Sequence, residues 1–346
     1  MPKSSTFRRG QQGLISHQTS LSGRAAVASK HSYHLLLPHL FAALLYLCTS
    51  SPGAWATQFE NSLVPRASSL SVYIYDPKEN SLLAELSSCT QGWRHGQWGT
   101  ELAWHWYLRQ SPYLTTDPTK ADLFYVPIYP KCVSMYKGDA VLSQKFAEVI
   151  LQLPYFQLSG GEDHIFVFPS GAGPTFFTKW REFIPNSIFF VAEAHYTDRV
   201  QEDAPYINIH KDVVIPGMIG PETRVHKLLA ADKPAAQRTA LATYFGRDQG
   251  KYTRKRIQDL SKEFPKDINA GFVVKDAYVA ALGNSKFCFV PRGQSSWTLR
   301  TYEAILTGCI PVILSDYVRL PYERWVDYNE FTIKWPEKFT DESLVK

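Results

Sequence analysis

Arg292, Gly293, Arg300 and Glu303 fall in one short stretch of this chain, and Gly246-Arg247 repeats the glycine–arginine pairing upstream. A planar guanidinium fork matches phosphate oxygens, and a carboxylate accepts hydrogen bonds from ribose hydroxyls. Together these residue types can hold a nucleoside diphosphate and receive the negative charge that builds on it as it departs. A bland alternative exists, because Arg and Glu three residues apart often form a surface helix pair worth about 0.2 to 0.5 kcal/mol. What favours the binding reading is the position of these residues in the elements around them.

Lys286 to Val290 and Cys309 to Leu314 are short apolar runs that read as buried strands. Between them lie a glycine-bearing loop and a helix, with Ser295, Ser296 or Thr298 as its cap and Gly308 and Pro311 as its stop. A crossover of this kind is right-handed and joins parallel strands. The loop Pro291 to Ser296 then sits at the carboxyl end of its strand, where open α/β sheets bind ligands. Gly246-Arg247 ends another apolar run, Thr239 to Gly246, in the same way. Lys251, Arg254, Lys255 and Arg256 follow on a helix and read as a solvated face.

These residues resemble the exostosin-type glycosyltransferases, inverting enzymes of GT-B architecture. The resemblance rests on Phe287-Cys288, Pro291, Gly293, Arg300, Glu303-Ala304 and Gly308-Cys309-Ile310-Pro311-Val312, followed by Asp316 and Leu320-Pro321. Weaker blocks precede it: the strand Val72 to Tyr75, Ser111-Pro112-Tyr113, Ala121 to Phe124, Asp163-His164 before a strand, and Asp212 to Pro216. It runs from about Val72 to Ile333.

The resemblance implies an α/β fold with two facing Rossmann-type domains, each built on a parallel sheet, after an N-terminal membrane or signal segment. It implies sugar transfer from a nucleotide sugar, a uridine diphosphate sugar as co-substrate, onto a glycan acceptor, with no resident cofactor. Arg292, Gly293, Arg300, Gly246 and Arg247 are expected at the diphosphate and Glu303 at the ribose. A first-domain base would deprotonate the acceptor hydroxyl, and Glu101, His95 and His164 are the candidates. No D-x-D triplet occurs, so metal-independent transfer is expected and no metal ligands are assigned. Pairing with another glycosyltransferase belongs to the family's range, and the rival reading is a non-catalytic subunit or carbohydrate-binding module. Gln294 stands where relatives often carry a charge, and Ala172-Gly173 replaces polar residues of the acceptor loop. Relatives continue past the position of Lys346, so the second domain is expected to be truncated.

The chain has 346 residues and a formal charge of +5. Lys3, Arg8, Arg9, Arg24 and Lys30 account for that excess, which leaves a neutral body with no electrostatic case for nucleic acid. No G-x-G-x-x-G follows a strand, which argues against a dehydrogenase. The organisation read from the chain is a cytosolic tail (1–34), a signal anchor or signal peptide (35–56) and a stem (57–70). An acceptor-side domain (71–230) and a nucleotide-sugar domain (231–346) follow. Positive charge before the apolar run places the N-terminus in the cytosol and the body in the lumen, as a single-pass type II protein of the Golgi membrane. Ala54-Trp55-Ala56 offers the alternative of a cleaved signal. Cys89, Cys132, Cys288 and Cys309 follow the apolar run and allow three full pairings. A Cys288–Cys309 bridge is geometrically reasonable, and two buried thiols is the competing reading.

Overall fold

In the computed structural model the described residues are 70–89, 96–194, 207–208, 210–272 and 276–345. The tail, the apolar segment and all but the last residue of the stem lie outside them, as does His95. Among the described residues no helix is long and apolar enough to cross a membrane.

Two parallel sheets carry the chain. The first has six strands in the order β2-β1-β3-β4-β5-β6: β1 (Val72–Ile74), β2 (Leu114–Thr115), β3 (Leu123–Tyr125), β4 (His164–Phe168), β5 (Ile188–Val191) and β6 (Val213–Val214). Its helices include α1 (Ser81–Ser87), α2 (Thr100–Gln110), α3 (Pro130–Lys137) and α4 (Asp139–Gln152). Strand residues alternate between its two faces: Phe124, Phe166, Phe168, Phe189 and Val191 enter one core, and Tyr125, Ile165, Val167, Ile188 and Phe190 the other. Burial on both faces explains why these strands read as unbroken apolar runs.

The second sheet has five strands in the order β11-β10-β9-β7-β8: β7 (Ala240–Phe245), β8 (Ile268–Gly271), β9 (Ser285–Pro291), β10 (Ile310–Leu314) and β11 (Ile333–Lys334). Around it lie α5 (Glu222–Ala230), α6 (Tyr252–Glu263), α7 (Asp276–Gly283) and α8 (Arg300–Leu306). Two facing Rossmann-type units were expected, and both sheets have the doubly wound order. In the second, the order reverses between β7 and β9, so the residues that follow those two strands flank the switch point.

The domain boundary falls earlier than residue 230. Helix α5 contributes Val225 and Leu228 to a core shared with Leu282, Tyr302 and Ala304, so it belongs to the second unit. The crossing is the stretch before it, where Gly220 adopts φ +126° and Gly217 lies against the Trp297 ring. The chain also crosses back. After β10, Arg319 N donates to Ala194 O at 3.1 Å and Tyr322 N to Val214 O at 3.0 Å. Tyr322 is buried in the first domain's core, with Trp325 and Val326 packed beside it, before β11 rejoins the second sheet.

The cysteines pair as Cys89–Cys132 and Cys288–Cys309. The second bridge ties the middle of β9 to the residue just before the adjacent β10, which decides against two free thiols.

Candidate active site

At the carboxyl ends of β7 and β9 the structure assembles arginines. Arg300, the first residue of α8, donates through Nη2 to Phe245 O at 3.0 Å and lies 5.4 Å over the Tyr244 ring. It needs a glycine beside it, because a Cβ on Gly246 would come within 2.4 Å of Arg300 Nη2. Gly293 is buried in the loop after β9, where a Cβ would meet Trp297 O at 3.0 Å. Arg292 Nε is buried without a hydrogen-bond partner among the described residues. An unmet guanidinium donor in such a place is costly unless something acidic completes it.

Glu303 is 4% exposed, which rules out a surface helix pair. It also turns from Arg300: its oxygens accept from Arg224 and, at 2.5 Å, from Tyr278 Oη. Arg224 keeps a side chain 42% exposed, although its Nε is buried and unpartnered among the described residues. Neither Arg224 nor Tyr278 was singled out from sequence. Only their membership of helices that end beside α8 could have raised them, and α5 was not anticipated. Burial, with the Glu303 charge next in size, pushes the Tyr278 phenol well up, so it stays a donor.

Arg254 corrects the solvated-face reading of its helix. It is 3% exposed, and its Nε donates to Arg292 O at 2.8 Å while its Nη1 donates to Arg247 O at 3.0 Å. One side chain thus ties the loops after β7 and β9 together. Burial lowers its pKa, and the nearby Arg300 charge adds to that lowering. Arg247 is exposed at the rim, beside the Phe272 ring at 5.8 Å. The helix itself starts later than the serines suggest. Leu299 is its N-cap and makes no side-chain cap, and Thr298 Oγ1 lies 3.5 Å from Arg300 N. Ser296 instead is pinned through its carbonyl, which accepts from Ser315 Oγ at 2.8 Å.

The base candidates fare differently. Glu101 is fully buried, and its two oxygens accept the N–H groups of Cys132 at 3.0 Å and Lys131 at 3.1 Å. These are the otherwise unbonded donors at the start of α3, so the carboxylate serves as that helix's cap. His164 is also fully buried, with Nε2 on Tyr75 Oη at 2.8 Å and Nδ1 on Asp163 Oδ1 at 2.6 Å. Its ring stacks on Phe124, 4.9 Å between centroids, and burial depresses its pKa. Both side chains are buried with their polar atoms on partners of the first domain. Both are ionisable groups of first-domain blocks that resemble the family, and their burial does not show in the sequence.

The carboxylate that does reach the second domain is Glu193, two residues beyond β5. Its Oε2 accepts from Ser295 Oγ, in the loop after β9, at 2.8 Å. Glu193 was not among the base candidates read from sequence. The signal was available, since Glu193 is the first charged residue at the carboxyl end of an apolar parallel strand.

Comparison with known proteins identifies relatives of the chain. A rice (Oryza sativa subsp. japonica) protein named probable glucuronosyltransferase GUT1 is 26% identical over 85% of this chain and 74% of its own. From Arabidopsis thaliana, probable beta-1,4-xylosyltransferase IRX10 is 24% identical over 78% of this chain and 69% of its own. Probable glucuronoxylan glucuronosyltransferase IRX7, also from Arabidopsis thaliana, is 26% identical over 78% of this chain and 62% of its own. The chain therefore spans about two-thirds of the length of such relatives. The exostosin GT47 domain matches residues 66–345, which takes in both sheets and the arginine-lined switch point, and the chain belongs to that family.

Proposed function

We propose that the chain transfers a sugar from a nucleoside diphosphate donor to a glycan acceptor, with inversion at the anomeric carbon. One observation carries this: Arg300, Arg292 and Arg224 gather at the switch point, two of them with a buried Nε that nothing among the described residues satisfies. A diphosphate would complete those donors, and the charge that grows on it as the glycosidic carbon leaves is met by fixed cations in a partly desolvated site. Arg254 holds the two phosphate-side loops in register, and Gly246 and Gly293 allow close approach. The positive charge that a metal would bring is supplied here by guanidinium groups, so the transfer is metal-independent on this reading. Glu303 takes the ribose hydroxyls when Arg224, the more exposed partner, gives way. The donor is a uridine diphosphate sugar, and the relatives' printed activities make glucuronic acid and xylose the first sugars to try.

The two disulfides support an oxidising compartment, consistent with a Golgi lumenal body held by the apolar segment before residue 57. A partner glycosyltransferase is part of the same proposal. Calorimetry of the purified protein with UDP, followed by a transfer assay pairing UDP-glucuronic acid or UDP-xylose with xylo-oligosaccharides, tests the reading. Micromolar UDP binding and a new glycosidic bond are expected. Glycan binding without UDP binding would instead make the chain a carbohydrate-binding module.

A further inference from the structure

Glu193 differs from the other buried carboxylates in what holds it. Glu101 is fixed by backbone of its own domain, and Asp212 by the N–H groups of Phe189 and Asn208 and by Lys211. Glu193, 7% exposed, is held by Trp98 and the Gly171 N–H of its own domain and also reaches a hydroxyl of the opposite domain. A glycine is needed beside it, because a Cβ at Gly171 would stand 2.8 Å from the same oxygen. Gly171 belongs to the loop after β4, and the hydroxyl of its neighbour Ser170 is buried with no hydrogen-bond partner among the described residues. Lys131 also bears on the carboxylate, and its ammonium lies 5.0 Å over the Trp98 ring and 4.9 Å over that of Phe176. Both rings are partly exposed.

We infer that Glu193 is the general base of sugar transfer and that the acceptor hydroxyl docks where the Ser295 hydroxyl now sits. Ser295 Oγ is chemically an alcohol O–H donating to a carboxylate, which is the contact an acceptor sugar must make before it reacts. It does so from the loop that carries Arg292 and Gly293, so an oxygen there borders both the base and the diphosphate side. The inference rests on the glycosyl-transfer reading. In the step, the acceptor oxygen forms a bond to the donor's anomeric carbon while its proton passes to Glu193 Oε2. The bond from that carbon to the phosphate oxygen breaks, and its electron pair leaves with the nucleoside diphosphate toward the arginines. Glu193 gives the proton to water as product leaves. Burial raises the Glu193 pKa against the opposing pull of Ser295, Trp98, the Gly171 N–H and Lys131, which suits a base that must take and release a proton.

The test uses the full chain with UDP-xylose or UDP-glucuronic acid and xylo-oligosaccharide. Glu193→Gln is expected to lower kcat about 10²- to 10⁴-fold while UDP binding by calorimetry stays as in wild type. The acidic limb of the wild-type kcat/KM profile, lying above the ordinary carboxylate range, should vanish in the variant. Ser295→Ala removes the cross-domain hydrogen bond alone and should cost no more than about tenfold, with the acidic limb kept. Should Glu193→Gln lose its cooperative melt, Glu193→Asp, which keeps the charge but withdraws it by one methylene, should lower kcat at least about tenfold with donor KM held. A Glu193→Gln enzyme as fast as wild type, or a Ser295→Ala enzyme as slow as Glu193→Gln, overturns the inference while UDP binding leaves the donor reading standing. Wild-type protein that neither binds UDP nor transfers removes both.

Discussion

The interior of the first domain and the rim between the two sheets each bury ionisable groups, and they treat them in opposite ways. Inside, Glu101 and His164 have both polar ends matched by close partners of the same domain. At the rim, Arg292 and Arg224 keep unmatched donors, and Glu193 shares its partners between its own domain and a serine that belongs to the other. A buried charge with a complete local set of partners is committed to the fold, since removing either partner leaves the other stranded. A buried charge left incomplete, or completed in part across a domain junction, is available to something that arrives.

The comparison breaks most visibly at Arg300. Arg300→Ala should cut transfer about 10²- to 10³-fold, or roughly 3 to 4 kcal/mol of transition-state stabilisation, with an unchanged circular dichroism spectrum. Near-wild-type turnover would show that the rim is not poised for a diphosphate. Next comes an acid titration of the interior. His105 is 8% exposed, its Nδ1 lies 2.6 Å from Tyr129 Oη, and burial, with the Arg109 charge, lowers its pKa from 6.5 to about 4. The folded state therefore resists a proton that the unfolded chain accepts. Stability should be full above about pH 6.5 and fall as pH drops toward 4, by up to about 3 kcal/mol from this group. Urea melts at pH 7 and pH 5 should show the loss, and a His105→Gln variant should show a flatter dependence.

Glu101→Ala should destabilise the protein by about 1 to 3 kcal/mol, because it strands two N–H donors at a helix start. Turnover per folded molecule should not change, and a loss of turnover at constant stability would return Glu101 to the list of bases. The smallest effect is expected from Gly246→Ala. The new methyl would displace a flexible guanidinium rather than backbone, so melting should shift little while UDP binding weakens about fivefold. Unchanged binding would mean that Arg300 does not face the nucleotide.

The sheets were legible because strands buried on both faces show as continuous apolar runs, as β3 to β5, β7, β9 and β10 do, while the short β1 and β6 fall in the blocks Val72 to Tyr75 and Asp212 to Pro216 that resemble the family. Three strands were not. β2 and β11 have two residues each, and β8 is Ile-Asn-Ala-Gly, with only Ile268 buried, so neither length nor apolar pattern announces them. Helix α5 was hidden by the Ala-Asp-Pro cluster that follows it, which suggested a boundary at its end rather than its start. The positions of Arg292, Gly293, Arg300 and Gly246 at the carboxyl ends of their strands were readable because their local element fixes which end of the sheet they occupy. Arg224, Tyr278 and Glu193 were not, since each joins the site through a contact between elements distant in sequence. Arg254 shows the same limit: a basic run looks solvated until the packing shows which member turns inward.

The passage of residues 318–326 back onto the first sheet has a consequence for how the chain is made. Tyr322 fills a place in a core whose other strands are synthesised more than a hundred residues earlier, beginning with Val72. On the ribosome that lobe must wait, incompletely closed, while the whole of the second sheet but its last strand is translated. A protease that nicks the loop after β10 should therefore loosen the amino-terminal lobe first, although every peptide bond of that lobe is intact.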